Sequence, residues 1–438
     1  MKKSAIFISI ILVLLVIVSW IAQFTNVANK NNQYSIKINQ AERYMNEGLF
    51  QKAMDALDDA LSINENKDAR SAWVEAGIRA YEDGVISAKD LSKAISSACD
   101  LYPDETIYWE KLITHYLSTN SYTGAYEALI DSKKANATSD VLKNLSNTIL
   151  YSFTVSRKTF SEFTRAPSGY FTVYDEKGWG VVDPAGERTI DCEYTYISPY
   201  NIDSEAVYIS GKGVRLINKD AVVEYIISED ISKAYSYSNG FLPFCDKNGQ
   251  WKYLNCNTGE VMLGSYEKVS SFVDGTAAVY KDNKWTLINA NNEAICNTSF
   301  DDIKLHSNGD YAFDNLMIAS VGGKYGIFDA KGNRVCDFTA ADMDAYYGGD
   351  IAYKDSSGKW GYITKEGKAS ITPEYDESRS FSAGLAAVRI GENWGYIDQV
   401  GTVVIDCQFF DASYFSSEGS TLVSNQEGKY VVLKRRFK

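Results

Sequence analysis

Histidine is nearly absent from this chain of 438 residues: only His115 and His306 occur. Histidine titrates closest to neutrality, so the commonest acid–base chemistry has few candidates here. Proline is also scarce, at 6, which excludes long Pro-rich linkers. The seven cysteines are Cys99, Cys192, Cys245, Cys256, Cys296, Cys336 and Cys407. Their number is odd and no two form a Cys-x-x-Cys pair, so neither a complete disulfide framework nor a zinc site follows. Most lie in apolar strand-like runs, such as Thr189-Ile190-Asp191-Cys192 and Val404-Ile405-Asp406-Cys407, and read as small buried hydrophobes. Positive charge is in deficit, with 44 Lys and Arg against 57 Asp and Glu, a net charge of -13. Nucleic-acid affinity is built on Lys and Arg neutralising phosphates, so nucleic acid is not an expected partner. The basic tail Lys434-Arg435-Arg436-Phe437-Lys438 reads as a solvated end.

Catalytic signatures are missing too. There is no Ser-centred nucleophile motif, no HExxH, no Walker loop and no dinucleotide fingerprint. No catalytic residue, cofactor site or metal ligand is assigned, and the chain reads as a non-enzyme. Gly322-Gly323 reads as a turn, not a phosphate loop, and Asp301-Asp302 as solvated loop residues.

What the chain does have is enough apolar material for real cores, at 45% hydrophobic and 23% charged, and 31 tyrosines. Its length points to more than one domain. Met1-Lys2-Lys3-Ser4 precedes an apolar run from Ala5 to Phe24 interrupted only by Ser9, Ser19 and Gln23. Twenty helical residues span roughly 30 Å, the thickness of a bilayer core. A cleaved signal peptide needs a shorter run and a small-x-small site; Ser19-Trp20-Ile21-Ala22 offers a Trp instead. The run therefore predicts an uncleaved transmembrane signal-anchor over residues 1–30. Lys2 and Lys3 on its short side place the N-terminus in the cytoplasm and the bulk outside the cell membrane, as a single-pass protein.

Over residues 31–151 the apolar period is helical and the helices come in pairs. One unit carries Tyr44, Gly48, Phe50, Ala53 and Ala60; a weaker one carries Tyr81, Gly84, Ala98 and Pro103; a third carries Trp109, Tyr116, Tyr122 and Ala125. The glycine turns one helix into the next, the alanines let helices approach, and the aromatics fill the space between. These units resemble the tetratricopeptide repeat (TPR) family, with Tyr44, Ala53, Ala60, Trp109, Tyr116 and Ala125 at core positions. The resemblance implies a TPR-like α-solenoid whose concave face takes a protein or peptide, or else a spacer. Ser139-Asp140 predicts the start of a last, covering helix that ends near Tyr151.

From residue 152 to 438 the pattern changes to short alternating strands with Gly and Asn turns. One aromatic phase recurs at Trp179, Val214, Trp251, Trp285, Tyr325, Trp360, Trp394 and Tyr430. A second aromatic follows fifteen residues later at Tyr194, Tyr266, Phe300, Tyr375 and Phe409. An aromatic-x-x-Gly precedes the phase at Tyr237, Phe272, Tyr346 and Phe381. Trp179-Gly180, Trp360-Gly361 and Trp394-Gly395 resemble the WG (tryptophan–glycine) repeat family of bacterial proteins. Trp251-Lys252 and Trp285-Thr286 depart from the pair, and Val214 loses both residues. Each unit reads as a three-stranded meander, for example Leu385–Ile390, Trp394–Asp398 and Thr402–Cys407.

The expected architecture is multidomain, α then β: a transmembrane helix, a TPR-like α-solenoid and an all-β domain of about eight units. A closed β-propeller-like ring is preferred because Phe153–Phe160 resembles the end of a unit and could complete the last one; an open β-solenoid is the alternative. The expected function is a membrane-anchored, protein-binding scaffold on the cell surface. The alternative partner is cell-wall glycan, stacked on repeat aromatics. Trp179, Trp251, Trp285, Tyr325, Trp360, Trp394 and Tyr430 are read as packing residues, since core positions must recur in every unit and ligand positions need not. On this reading Trp394→Ala costs roughly 3–5 kcal/mol in urea unfolding. An unchanged melting temperature with lost retention on purified cell-wall glycan would favour the alternative.

Overall fold

The structure, a computed structural model, describes residues 2–165, 169–199, 206–210, 213–217, 223–227, 231–262 and 264–437. Of these, the side chains of residues 2–18, 21, 22, 24, 165 and 206–227 lie outside the description. Two compact units emerge, Met1–Ile149 and Leu150–Lys438.

Among the described residues the first unit is a run of seven helices: α1 (Lys2–Asn46), α2 (Phe50–Ile63), α3 (Lys67–Glu82), α4 (Ala88–Leu101), α5 (Thr106–Ser118), α6 (Tyr122–Lys134) and α7 (Asp140–Leu150). α1 continues unbroken past residue 30, because nothing between the apolar run and Gly48 stops a helix. Most side chains of Ala5–Phe24 fall outside the described residues. Among the described residues no helix is long and apolar enough to cross a membrane. Gly48, at φ +70°, ends α1. The Leu49 N–H bonds back to the Tyr44 carbonyl at 2.8 Å, closing the helix in the left-handed way that glycine favours. Side chains of Asn66, Ser87 and Ser139 accept from the backbone N–H groups of Ala69, Asp90 and Leu142 and so cap α3, α4 and α7. Ala53, Ala60 and Ala125 are fully buried and Trp109 nearly so; Tyr44 and Tyr116 are half-buried. The Trp109 indole also donates to the Pro103 carbonyl at 2.9 Å.

Among the described residues the second unit holds eight antiparallel sheets. Sheet 1 contains Glu162–Arg165, Phe171–Tyr174, Trp179–Val182 and Arg188–Tyr194. Sheet 2 contains Tyr196–Ile197, Ala206–Ser210, Gly213–Ile217 and Val223–Ile227, and sheet 3 Ile231–Ala234, Phe241–Asp246, Trp251–Asn255 and Glu260–Val261. Sheets 4 and 5 have three strands each, Lys268–Val269, Thr276–Lys281 and Lys284–Asn289, then Asp302–Ile303, Leu316–Val321 and Lys324–Asp329. Sheet 6 contains Asp342–Met343, Ile351–Lys354, Trp360–Ile363 and Ala369–Tyr375, and sheet 7 Glu377–Ser378, Ala386–Ile390, Asn393–Ile397 and Val403–Phe409. In sheet 8, Ser420–Ser424 and Tyr430–Arg435 come from the C-terminus. Its third strand is Phe153–Val155, from the N-terminal end of the unit, with Phe153 opposite Arg435 and Val155 opposite Leu433. The meander read from sequence thus gains a short leading strand, such as Glu377–Ser378, that two residues of pattern could not reveal.

The sheets pack in a cycle. Trp394 of sheet 7 lies in one cluster with Phe415, Val423 and Leu433 of sheet 8. Tyr430 of sheet 8 lies against Phe160, Phe171 and Val173 at the start of sheet 1. Trp179 packs with Ile197 of sheet 2, Trp251 with Val279 of sheet 4, Trp285 with Met317 of sheet 5, and Tyr325 with Ile351 of sheet 6. The Tyr196 hydroxyl of sheet 2 reaches the Ala234 carbonyl of sheet 3 at 2.6 Å. Last pairs with first, so the unit is a closed β-propeller and the open solenoid is excluded. Closure removes the free sheet edges that an open stack would expose.

This register explains the fifteen-residue spacing. Trp179 pairs with Tyr194, Trp360 with Tyr375 and Trp394 with Phe409; Trp251 bridges to Tyr266, and Trp285 to Phe300. Tyr430 bridges to Phe160, so the eighth unit finds its second aromatic at the other end of the chain. Val214 pairs with Ile209 and Ile227 in sheet 2, which keeps the phase in backbone terms.

The glycine after Trp has a steric cause. In the three Trp-Gly units the register slips next to the Trp, and the following strand bulges over the glycine. A Cβ on Gly395 would stand 2.6 Å from the Ile405 carbonyl oxygen and 2.8 Å from the Cys407 nitrogen. Gly180 and Gly361 are equally crowded. Those units carry an unbroken last strand; in sheets 3 and 4, where Lys252 and Thr286 replace the glycine, that strand is short or reduced to bridges. Gly395→Ala is therefore expected to cost about 1–3 kcal/mol in urea unfolding. Thr286→Ala, at the same phase without the bulge, should stay within about 0.5 kcal/mol.

Candidate functional site

In sheets 3 to 7 a short leading strand is followed by a connecting segment before the next strand. These segments meet across the ring. The Ser236 N–H, entering sheet 3, bonds to the Asn308 carbonyl of sheet 5 at 3.2 Å, and the Ser271 N–H bonds to the Gly309 carbonyl at 2.7 Å. The Ser271 hydroxyl stands 3.2 Å from the carbonyls of both Ser236 and Asn308. Contacts that skip a sheet can form only where all the inner edges converge. Gly309 (φ +92°) is needed there, since a Cβ would fall into the Tyr235 ring.

On the other side the hub is aromatic and charged. The Tyr414 hydroxyl donates to both oxygens of Asp344, at 2.8 and 2.9 Å, skipping sheet 7. The Ser380 N–H donates to the same carboxylate at 2.7 Å. The Tyr347 ring lies 4.0 Å from that of Tyr414 and 4.4 Å from that of His306. Arg379 donates to the Ala412 carbonyl at 2.6 Å and to Asp411 at 2.9 Å, and its guanidinium lies 5.0 Å from the Trp394 ring centre. The Tyr430 hydroxyl completes Asp411 at 3.1 Å. Burial and the Asp344 charge push the Tyr414 phenol well above its usual range. Burial opposes the Arg379 charge, but Tyr414, Asp411 and Asp344 more than offset it and raise its pKa. Asp310 is pushed up to about 6 by burial, against the opposing bond from Asn308.

The chemistry of this centre is closed on itself: one guanidinium, two carboxylates and two phenols bind each other. Among the described residues no group of His, Cys, Asp and Glu has the disposition to hold a metal ion. None of the seven cysteines forms a disulfide, and Cys192, Cys245, Cys256, Cys296 and Cys336 sit in or beside apolar packing. Burial pushes Cys99 up to about 12 and Cys192 to about 11.

Apart from the Tyr430 hydroxyl on Asp411, the repeat aromatics lie outside the hub. Trp285 is 2% exposed, and Trp251 and Trp394 are each 7% exposed; Trp179, Tyr325, Trp360 and Tyr430 are half-buried. A basic side chain in the leading strand or just after it covers several: Lys233 over Trp251, Lys304 over Tyr325 and Arg379 over Trp394. Two residues past Trp, the Tyr253, Tyr362 and Tyr396 hydroxyls donate to the Ser270, Arg379 and Ser413 carbonyls of the next sheet. Of the two histidines, His306 joins the hub, whereas the His115 ring bonds with the Ala88 carbonyl at 2.8 Å and stands edge-on to Tyr81. Asp301 and Asp302 are not merely solvated: Asp301 pairs with Lys284 and accepts from the Gly323 N–H, and Asp302 accepts from the Tyr325 hydroxyl at 2.6 Å. Sequence reasoning missed the hub. Its one legible trace is the Ser before the aromatic-x-x-Gly, as in Ser236-Tyr237, Ser271-Phe272 and Ser380-Phe381.

Four stretches, residues 179–203, 258–285, 360–394 and 394–430, match the family described as WG containing repeat. No curated protein sequence matches the chain. Among solved structures, the computationally designed Ika8 protein is similar at 12% identity, over 65% of this chain and 99% of that one, with a TM-score of 0.43. The C-terminal WD40 domain of Sif2 is similar at 12% identity, over 64% and 98%, with a TM-score of 0.42. BamB from Moraxella catarrhalis is similar at 10% identity, over 65% and 94%, with a TM-score of 0.40. At these values the ring rests on its strand pairing and not on the likeness.

Asp310 gives the hub a pH signature. Its folded pKa lies above the ordinary carboxylate value, so between about pH 4 and 6 the folded state holds the proton that the unfolded state releases. Its contribution is complete below that window and is lost as pH rises through it. Asp310→Asn should flatten the stability profile there and gain on the order of 1–3 kcal/mol at pH 7, read by urea unfolding at four pH values.

Proposed function

We propose that this protein is a non-catalytic, membrane-anchored scaffold that binds other proteins on the outer side of the cell membrane. The helical unit is its TPR-like binding arm and the WG-repeat propeller its head. The observation that carries the reading is the hub: its half-buried Arg379, Asp344, Asp411 and Tyr414 are committed to one another. Polar groups that bond one another hold the described inner segments in place, which leaves the outer surface of the ring to partners. Lys2-Lys3 ahead of the apolar run, with Trp20 71% exposed near its far end, supports the anchor and its direction. The burial of Trp251, Trp285 and Trp394 weighs against glycan stacking, because a sugar needs a free aromatic face.

Two measurements test this together. Protease added to intact cells should digest the chain beyond about residue 30, and the purified full chain should capture a protein saturably from solubilised envelope, also after glycan digestion. Full protection of the propeller would reverse the topology. Capture lost with the glycan would replace the protein-binding reading by the carbohydrate one.

A further inference from the structure

The helical unit has a groove of about 490 Å³ between α1 and α3, within the usual size of binding pockets. Its floor is apolar: Ala41, Leu57 and Ala69 are buried, and Ile38 and Met45 are half-exposed. Tyr34 walls one end, held by a 2.8 Å bond from the Asn66 side chain to its hydroxyl. Ala72 is exposed at the rim, where a larger side chain would fill the space.

Two carboxylates, Glu42 and Asp68, also line it, both exposed. Neither makes a hydrogen bond or ion pair among the described residues, and no lysine or arginine lines the groove. The nearby cations are committed elsewhere: Lys37 to Asp59, Arg43 to Glu47, Lys67 to Glu105 and Arg70 to Glu65. The corresponding space between α3 and α5 differs, being bridged by Lys67–Glu105, Lys111–Glu75 and a 2.9 Å bond between the Ser71 and Tyr108 hydroxyls. One stretch of the arm therefore joins an open apolar floor to uncompensated negative charge. That combination complements a chain with apolar side chains to bury and cations beside them.

We infer that the α1–α3 groove docks an amphipathic basic peptide segment of a partner protein, its leucine-like side chains on the Ile38–Met45 floor and its lysines or arginines against Glu42 and Asp68. This rests on the helical unit being the binding arm.

The test uses the full chain in detergent micelles. Three fluorescent peptides serve as probes: leucine–lysine at helical spacing, and its leucine–glutamate and leucine–glutamine counterparts. The lysine peptide should bind, the glutamine peptide more weakly, and the glutamate peptide not at all. The double variant Glu42→Gln, Asp68→Asn should weaken the lysine peptide about tenfold, and Ala72→Arg should abolish its binding, both at unchanged melting temperature. Equal binding of the glutamate peptide, or lysine-peptide binding that ignores both variants, overturns the inference; the latter is what the chain's overall negative charge alone would give. The captured envelope protein separates the two readings. If Ala72→Arg loses that protein while no probe binds, the basic character fails and the arm stands. If Ala72→Arg keeps it, the arm reading fails too.

Discussion

The pairing of Phe153–Val155 with Leu433–Arg435 is the contact on which the propeller depends. A stack of eight sheets without it would end in two unpaired faces. With it, every large aromatic at the repeat phase has a neighbour to pack on, including Tyr430, which meets Phe160 across the seam. The short strand contributes few hydrogen bonds of its own. Its effect is to give the last interface apolar partners like those of the other described interfaces.

The periodic part of this arrangement was readable because packing imposes it. A large aromatic recurs where most of the sheets meet the next, and its partner fifteen residues on recurs because the strands pair in one register. The Trp-Gly pair was readable as a motif, but its reason, a bulge that leaves no room for a Cβ, appears only when Cys407 is seen above Gly395. The leading two-residue strands were not legible, since two residues carry no period. The hub was not legible either. Asp344 and Tyr414 are 70 residues apart and belong to units that diverge at those positions, so no repeat could announce them.

The hub and the sheet interfaces hold the ring in different ways. The interfaces are apolar, repeated and tolerant of exchange, as the Trp-to-Tyr replacements at Tyr325 and Tyr430 show. The charged part of the hub is polar, not repeated from unit to unit and mutually satisfied, which makes it sensitive to partial loss, because a half-buried carboxylate without its donors is costly. Tyr253, Tyr362 and Tyr396 link the two systems, with rings in the interfaces and hydroxyls on inner carbonyls.

The seam has a consequence for how the molecule is made. Phe153 leaves the ribosome about 280 residues before its partners Leu433–Arg435, so the first-made strand of the ring must wait for the last. During that interval sheets 1 to 7 can form locally, but the growing stack carries an unpaired edge and an uncovered apolar face, the kind of surface that invites association with other chains. Synthesis order thus leaves a vulnerable interval that ends only when the final strand emerges and closes the circle.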